Sequence, residues 1–409
     1  MLESRFQNLV ATKRLPDPLV VQLGRFTTLL IEQGYADQTV RLKVKLVTDF
    51  GQWLKRSGTA VANLDEPLAE AFLKRKLRER RGDFRTLQQF LDHLRRQNLI
   101  PARNLPRDRT PLADILDGYE THLSTERGLV AHTIQGYQSF VRKFLQERFR
   151  GQSLLLKALK ASDVSDFILR HAPSMAARRA QTMTSAFRSF FRFLFQKREL
   201  QVNLAASVPT VANWRLSTVP KYLTPREVER VLKACNRRTL TGRRDYTILL
   251  LLARLGLRAG EVVALQLEDI NWRAGEILVR GKGLLHDRMP VPLDVGQALA
   301  SYLGRDRPRC QTRRVFVCMK APRRGFAHPS TLSTIVRRAI ARADLHPPLK
   351  GAHLLRHSLA TSLLRSGATM GEIGEVLRHR ASSTTEIYAK VDFEGLRSLA
   401  HLWPIGGNQ

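Results

Sequence analysis

The chain has 409 residues, 43% of them hydrophobic, with 68 Lys and Arg against 36 Asp and Glu, a formal net charge of +32. That length predicts two or three domains rather than one growing core. A charge excess far above what solubility needs predicts a polyanionic partner. The apolar run "YTILLLLA" (246–253) is closed by Arg254 and is too short to span a bilayer, so no membrane partner is expected. The stretch "MLESRFQNLVATKR" has no long apolar segment, which argues against a secretory signal. Cys235, Cys310 and Cys318 make no CxxC pair and leave an odd thiol in any disulfide scheme, which fits a reducing cytoplasm and no structural zinc.

Two proline-bearing stretches, "IPARNLPRDRTP" (100–111) and "VNLAASVPTVANWRLSTVP" (202–220), divide the chain into three expected domains, 1–105, 111–201 and 221–409. The first two read as copies of one helical unit. "GYADQTVRLKVKLVTDF" (34–50) aligns with "GLVAHTIQGYQSFVRKF" (128–144), and "LQQFLDHLRRQNLI" (87–100) with "FRSFFRFLFQKREL" (187–200). Phe187, Phe190, Phe191 and Leu194 stand at helical spacing and read as core, with Arg188, Arg192, Lys197 and Arg198 between them. The basic run "LKRKLRERR" (73–81) reads either as a solvated helix face or as a phosphate contact.

The third segment opens with "TPRE" (224–227), a capping box with proline at the first helical position. "DYTILLLLARLG" (245–256) reads as a buried helix ended by Gly256. "INWRAGEILVRGKG" (270–283) and "RMPVPL" (288–293) then predict a small antiparallel sheet of two or three strands. Helices return at 330–343, at 353–367, where Gly367 is the stop, and at 371–379.

"HLLRH" (353–357) places two histidines one helical turn apart. A zinc hydrolase helix needs a glutamate beside the first histidine, whereas here Leu354, Leu355 and Arg356 intervene, and a cation among the ligands repels the metal. Phosphate fits better. His353 and Arg356 share a face, arginine donates a planar pair of hydrogen bonds, and histidine exchanges protons near neutrality. His357 lies near that face too and reads either as a packed or capping residue or as one that touches substrate.

Taken in order, "LGLRAGEV" (255–262), "RGKG" (280–283), "HLLRH" (353–357) and "LRHRASSTTEIYAKV" (377–391) resemble the motif series of the phage-integrase family of tyrosine recombinases, in particular integrases carried by bacterial mobile elements. The resemblance covers about 221–400, and the helical segment 111–201 resembles the family's SAM-like core DNA-binding domain. It implies a mainly α, multi-domain fold with a small antiparallel sheet in the catalytic domain, closing around duplex DNA as a C-shaped clamp.

The resemblance also implies roles. Arg258 and Arg356 clamp the scissile phosphate, Lys282 protonates the departing 5′ oxygen, and His353 manages the nucleophile's proton. His379 hydrogen-bonds the phosphate, Tyr388 attacks to form a 3′-phosphotyrosine, and Glu261 supports Arg258. Because a phosphotyrosine conserves the energy of the broken bond, no cofactor, metal or ATP is expected.

The implied partners are double-stranded DNA, a homotetramer on that DNA with "DFEGLRSLAHLW" (392–403) docking on neighbours, and partner recombinases or DNA-bending proteins. The implied place is the bacterial cytoplasm, on the nucleoid. Two departures stand out: the hairpin after Lys282 is long, with Leu285 and His286 before Arg288, and Arg378 replaces the usual glycine before His379, where a further phosphate contact is expected. Two other functions use the same residues, type IB topoisomerase-like strand relaxation and DNA binding by an inactive regulator.

Overall fold

A computed structural model of the chain describes residues 17–76, 80, 82–102, 110–211, 219–281 and 286–391. The expectations for Lys282 and for 392–403 fall outside these residues. Contacts define two compact units, one within Met1–Ala102 and Thr218–Gln409, the other within Arg103–Ser217.

In the first unit, α1 (Asp17–Glu32), α2 (Asp37–Arg56), α3 (Glu66–Lys74) and α4 (Asp83–Arg96) surround a core of Phe26, Phe50, Leu87, Phe90 and Leu94. The start of α3 is set by Asp65, which accepts the Leu68 N–H at 2.9 Å, with proline in the first turn. This bundle belongs to the same compact unit as the C-terminal segment. The Arg323 backbone N–H donates to the Gln33 carbonyl at 2.8 Å, and Gln311 Nε2 donates to Glu32 Oε2 at 2.9 Å.

The other unit contains α5 (Pro111–Thr121), α6 (Ala131–Arg148), α7 (Ala161–His171) and α8 (Ala177–Gln196). Phe187, Phe190, Phe191 and Leu194 are fully buried, as their spacing requires. Packing continues past residue 201, since Leu204, Ala205 and Val208 join this core and Arg188 Nη2 donates to the Val208 carbonyl at 3.0 Å.

The C-terminal segment begins with α9 (Pro225–Lys233), capped by the reciprocal Thr224–Glu227 box. The next helix, α10 (Leu240–Arg254), is buried on most of its circumference; Leu249 to Leu252 are all 1% exposed or less, so its uninterrupted leucines face helices and sheet rather than solvent. It starts five residues before the expected start at Asp245, because Thr239 caps it and buried Arg244 bonds Asp245 and the Val317 carbonyl.

After α11 (Ala259–Ala264) come β1 (Ile270–Asn271), β2 (Glu276–Arg280) and β3 (His286–Pro290) in one antiparallel sheet of order β1-β2-β3, with Ile277 opposite Ile270 and Met289. The helices α12 (Leu293–Ser301), α13 (Ser330–Arg342), α14 (Ala352–Arg365) and α15 (Met370–Val376) complete it, and Gly367 at φ +89° stops α14. A small cluster of Ala360, Ile373, Leu377, Tyr388 and Val391 covers the end of α14 and buries the tyrosine.

Candidate active site

The site is built on three chain reversals. At the end of α10, Gly256 takes φ +57°, and its carbonyl accepts from Arg356 Nη1 on α14. At the end of α15, the Leu377 carbonyl accepts from Arg356 Nη2, so both ends of this guanidinium are held by backbone and the side chain is buried. Arg258 occupies the cap position of α11, where Glu261 Oε2 accepts its backbone N–H and Oε1 its Nη1, both at 2.8 Å. The third reversal, a 3₁₀ turn over Glu386–Val391, carries Tyr388 under the same structure.

Tyr388 is 1% exposed, and its Oη lies 2.8 Å from His357 Nδ1. The His379 ring lies parallel to the tyrosine, 6.5 Å between centroids, and its Nδ1 is 2.8 Å from Thr385 Oγ1. His353 is exposed at the start of α14, its ring 6.4 Å from that of His357. An open cleft of about 1180 Å³ is lined by Arg258, Glu261, His353, Arg378 and His379, with Thr385 at its side. The structure therefore brings together all the expected residues it describes. Among the described residues no group of His, Cys, Asp and Glu is arranged to hold a metal ion.

Two contacts bear on the expectations. The sequence points to a phosphate contact at Arg378, but its Nη2 donates to Glu261 Oε2 at 2.7 Å and its side chain is 8% exposed. Its backbone takes a left-handed φ of +54°, and the residue remains part of the cleft wall. The resemblance gives His353 the nucleophile's proton, yet the group in contact with the phenol is His357. A signal for His357 exists in the sequence, since a residue one turn after His353 shares its face. Thr385 has no such signal within "SSTTE".

Positive charge dominates the electrostatics. Burial, then Arg258 and Arg378 as like charges, lowers the Arg356 pKa to about 10. Burial pushes His357 down to about 4, reinforced by His353 and Arg356. His379 also falls to about 4, again by burial first and then by Arg356 and Arg258, and His353 is lowered for the same reasons. Burial alone would raise the Glu261 carboxyl, but Arg378 and Arg258 outweigh it and hold it below the usual range. Burial raises Tyr388 to about 12 although Arg356 and Arg258 pull it down. Cations that crowd one another this closely, beside neutral imidazoles, form a site that an anion relieves.

Residues 221–394 match the phage integrase family, and residues 116–198 match the N-terminal SAM-like domain of phage integrases. The protein y4rA of Sinorhizobium fredii, named as an integrase/recombinase, is 43% identical over 400 residues, covering 96% of this chain and 97% of its own. The tyrosine recombinase XerC of Pseudomonas aeruginosa is 29% identical over 289 residues, 69% of this chain and 92% of its own. Among solved structures, the XerH site-specific recombinase bound to its difH substrate shares the fold, with a TM-score of 0.57 and 20% identity over 73% of this chain and 91% of that one.

Fold and site together define a tyrosine-type recombinase, an enzyme that cleaves and rejoins DNA. The chain belongs to the phage integrase family. Its partner is DNA, and no described helix is long and apolar enough to cross a membrane.

Proposed function

We propose that Tyr388 is the nucleophile of site-specific strand exchange, for a mobile element's integration or transposition. The supporting observation is the Tyr388–His357 hydrogen bond of 2.8 Å beside Arg356, whose guanidinium is fixed to the turns that carry Arg258 and His379. The phenol oxygen attacks the scissile phosphorus as its proton passes to His357. The bond from phosphorus to the 5′ oxygen breaks, and Lys282 gives that oxygen a proton. Arg258, Arg356 and His379 carry the charge that builds on the pentacoordinate phosphorus, and His353 at the cleft mouth takes part in proton exchange.

A phenol with a pKa near 12 is a weak nucleophile without an adjacent base, which is why the histidine contact matters. Since Tyr388 is 1% exposed, attack requires it to leave its cover. Four protomers on two duplexes would exchange strands, because each protomer offers one tyrosine and each recombination cuts four strands.

The test is covalent trapping on a nicked suicide duplex bearing the element's end, without metal. A protein–DNA adduct that is lost in Tyr388→Phe supports the reading. An adduct that persists in Tyr388→Phe refutes the nucleophile. Specific binding with no adduct from the unaltered chain points to an inactive regulator, and products that are relaxed circles without recombinant joints point to a topoisomerase.

A further inference from the structure

Neither family match reaches residues before 116, yet the first bundle repeats the SAM-like one element by element. Helices begin at 17, 37, 66 and 83 in one and at 111, 131, 161 and 177 in the other, a separation of 94 or 95 residues between starts that widens to 100 by the end of the last helix, which is longer in the second bundle; a short 3₁₀ turn follows the second helix in both, at Val61–Asn63 and Leu156–Ala158. Amphipathic helices that resemble one another by chance would not also repeat backbone handedness and ring geometry. Three of the four left-handed residues described in the first bundle have a counterpart, Gly34 with Gly128, Gly58 with Gly151 and Asn98 with Arg198, while Gly82 has none. Ring pairs recur too. Phe26–Phe90 meets at 5.2 Å and 69°, Tyr119–Phe190 at 5.1 Å and 71°. Phe50–Phe72 lies at 5.2 Å and 55° and Phe144–Phe167 at 5.4 Å and 83°, so here the separation recurs and the tilt does not.

The second helix of each bundle carries exposed cations, though at different positions. On α6, Gln135, Ser139 and Gln146 line an open concavity with Arg142 and Lys143. At the 94-residue separation Gln135, Ser139 and Gln146 correspond to Arg41, Lys45 and Gln52 on α2, whereas Arg142 and Lys143 correspond to buried Thr48 and half-buried Asp49; Arg41 and Lys45 are exposed, and exposed Lys55 and Arg56 follow one to two turns beyond Asp49. From Arg41 to Arg56 is roughly 22 Å of helix axis, about six base-pair steps. The α1 and α4 side is engaged elsewhere: Glu32, Gln33 and Arg96 face Gln311 and Arg323 of the C-terminal segment. The α2 row is thus a cationic face left exposed on a module already anchored to the catalytic segment.

We propose that residues 17–100 are a second SAM-like module and that the α2 row, centred on Arg41 and Lys45, binds the phosphates of duplex DNA beyond the stretch held by the 111–201 module and the catalytic segment. The inference rests on the recombinase reading only in taking DNA as the partner.

The experiment uses the full chain with Arg41→Glu/Lys45→Glu, compared with the conservative pair Arg41→Lys/Lys45→Arg. Gel-shift titrations over a salt series and nuclease protection are read on a long duplex, and adduct yield is read on a short suicide duplex. The reversed pair is expected to bind the long duplex at least about tenfold more weakly, with a log–log salt slope shallower by about 2. Its protected region should be shorter, its adduct yield per bound protein unchanged, and the conservative pair should behave as the unaltered chain.

Unchanged affinity, slope and protection overturn the proposal. Unchanged single-protomer binding with loss of larger complexes also overturns it and assigns the face to a second copy of the chain. If the reversed pair unfolds, Arg41→Ala/Lys45→Ala is put through the same readouts, with a slope shallower by about 2 expected and an unchanged slope decisive against. Absence of adduct in every protein, with the binding differences intact, counts against the catalytic reading and leaves this one standing.

Discussion

Arg378 departs from its usual residue type for a visible reason. A non-glycine residue at φ +54° costs about 1–2 kcal/mol of backbone strain, and here the side chain offsets that cost by closing a buried ion pair on Glu261 and contacting Met289 Sδ on β3. Glu261 in turn holds Arg258, and Arg258 Nη2 donates to the Arg378 carbonyl at 3.4 Å. Arg378→Gly relieves the strain and leaves Glu261 one partner short. Single-turnover cleavage is expected to fall at least about tenfold while the melting temperature changes little, and Arg378→Lys is expected to recover part of the rate.

Arg258→Ala and Arg356→Ala are expected to cut cleavage by about 10² to 10³ with most DNA affinity kept, read by adduct formation against gel shift. Arg258, Glu261, Arg356, His379 and Tyr388 were legible because their order along the chain is distinctive. The direction of Arg378 and the Tyr388–His357 contact were not. Both depend on backbone handedness and on a turn that returns the tyrosine from 31 residues away to α14. The burial of His357 has a pH signature. His357 titrates near 4 in the folded chain against an ordinary value of 6.5, so the unfolded chain binds more protons in between and stability falls as pH drops from about 6.5 toward 4. Thermal melts across that window should show the loss, and His357→Asn should reduce it, leaving the share that His379, also depressed to about 4, contributes.

At the scale of elements, the reversal between α10 and α11 does the most positioning. Gly256 needs its left-handed φ, and a Cβ there would lie 2.7 Å from Leu377 Cδ2 and 3.0 Å from Leu359 Cδ2. Gly256→Ala should therefore displace the carbonyl that holds Arg356, destabilising the chain by about 1–3 kcal/mol and lowering cleavage with it; urea unfolding and adduct yield measure the two effects. This reversal, the Thr224 cap and the Gly367 stop were readable, since each rests on residue types with one strong backbone preference. The early start of α10 and the packing of 204–208 were not, because polar "TGRR" and alanine-rich "NLAAS" carry no helical period and are fixed by partners distant in sequence, Val317 and Arg188 among them.

For the whole molecule, the grouping of the first bundle with the C-terminal segment is made partly by a backbone N–H of Arg323 and a backbone carbonyl of Gln33, groups that every residue type supplies and that leave no mark in a sequence. Charge, by contrast, was readable from composition, and it sets a prediction for the intact protein. With a net charge of +32, the guanidiniums of the site are a small share of the cations available to DNA, so affinity and cleavage separate. Neutralising 6 to 10 phosphates makes affinity fall about 10³- to 10⁵-fold between 50 and 200 mM salt, and the unaltered chain is expected within that range. Arg258→Ala should shallow the slope by about 1 or less while nearly abolishing cleavage; the reversed pair on α2 should shallow it by about 2 while leaving cleavage alone. A slope near zero for the unaltered chain would mean that its positive charge is not spent on phosphates, and both divisions of labour would fail together. Two variants with opposite losses along one salt axis would instead separate the residues that hold the strand from those that cut it.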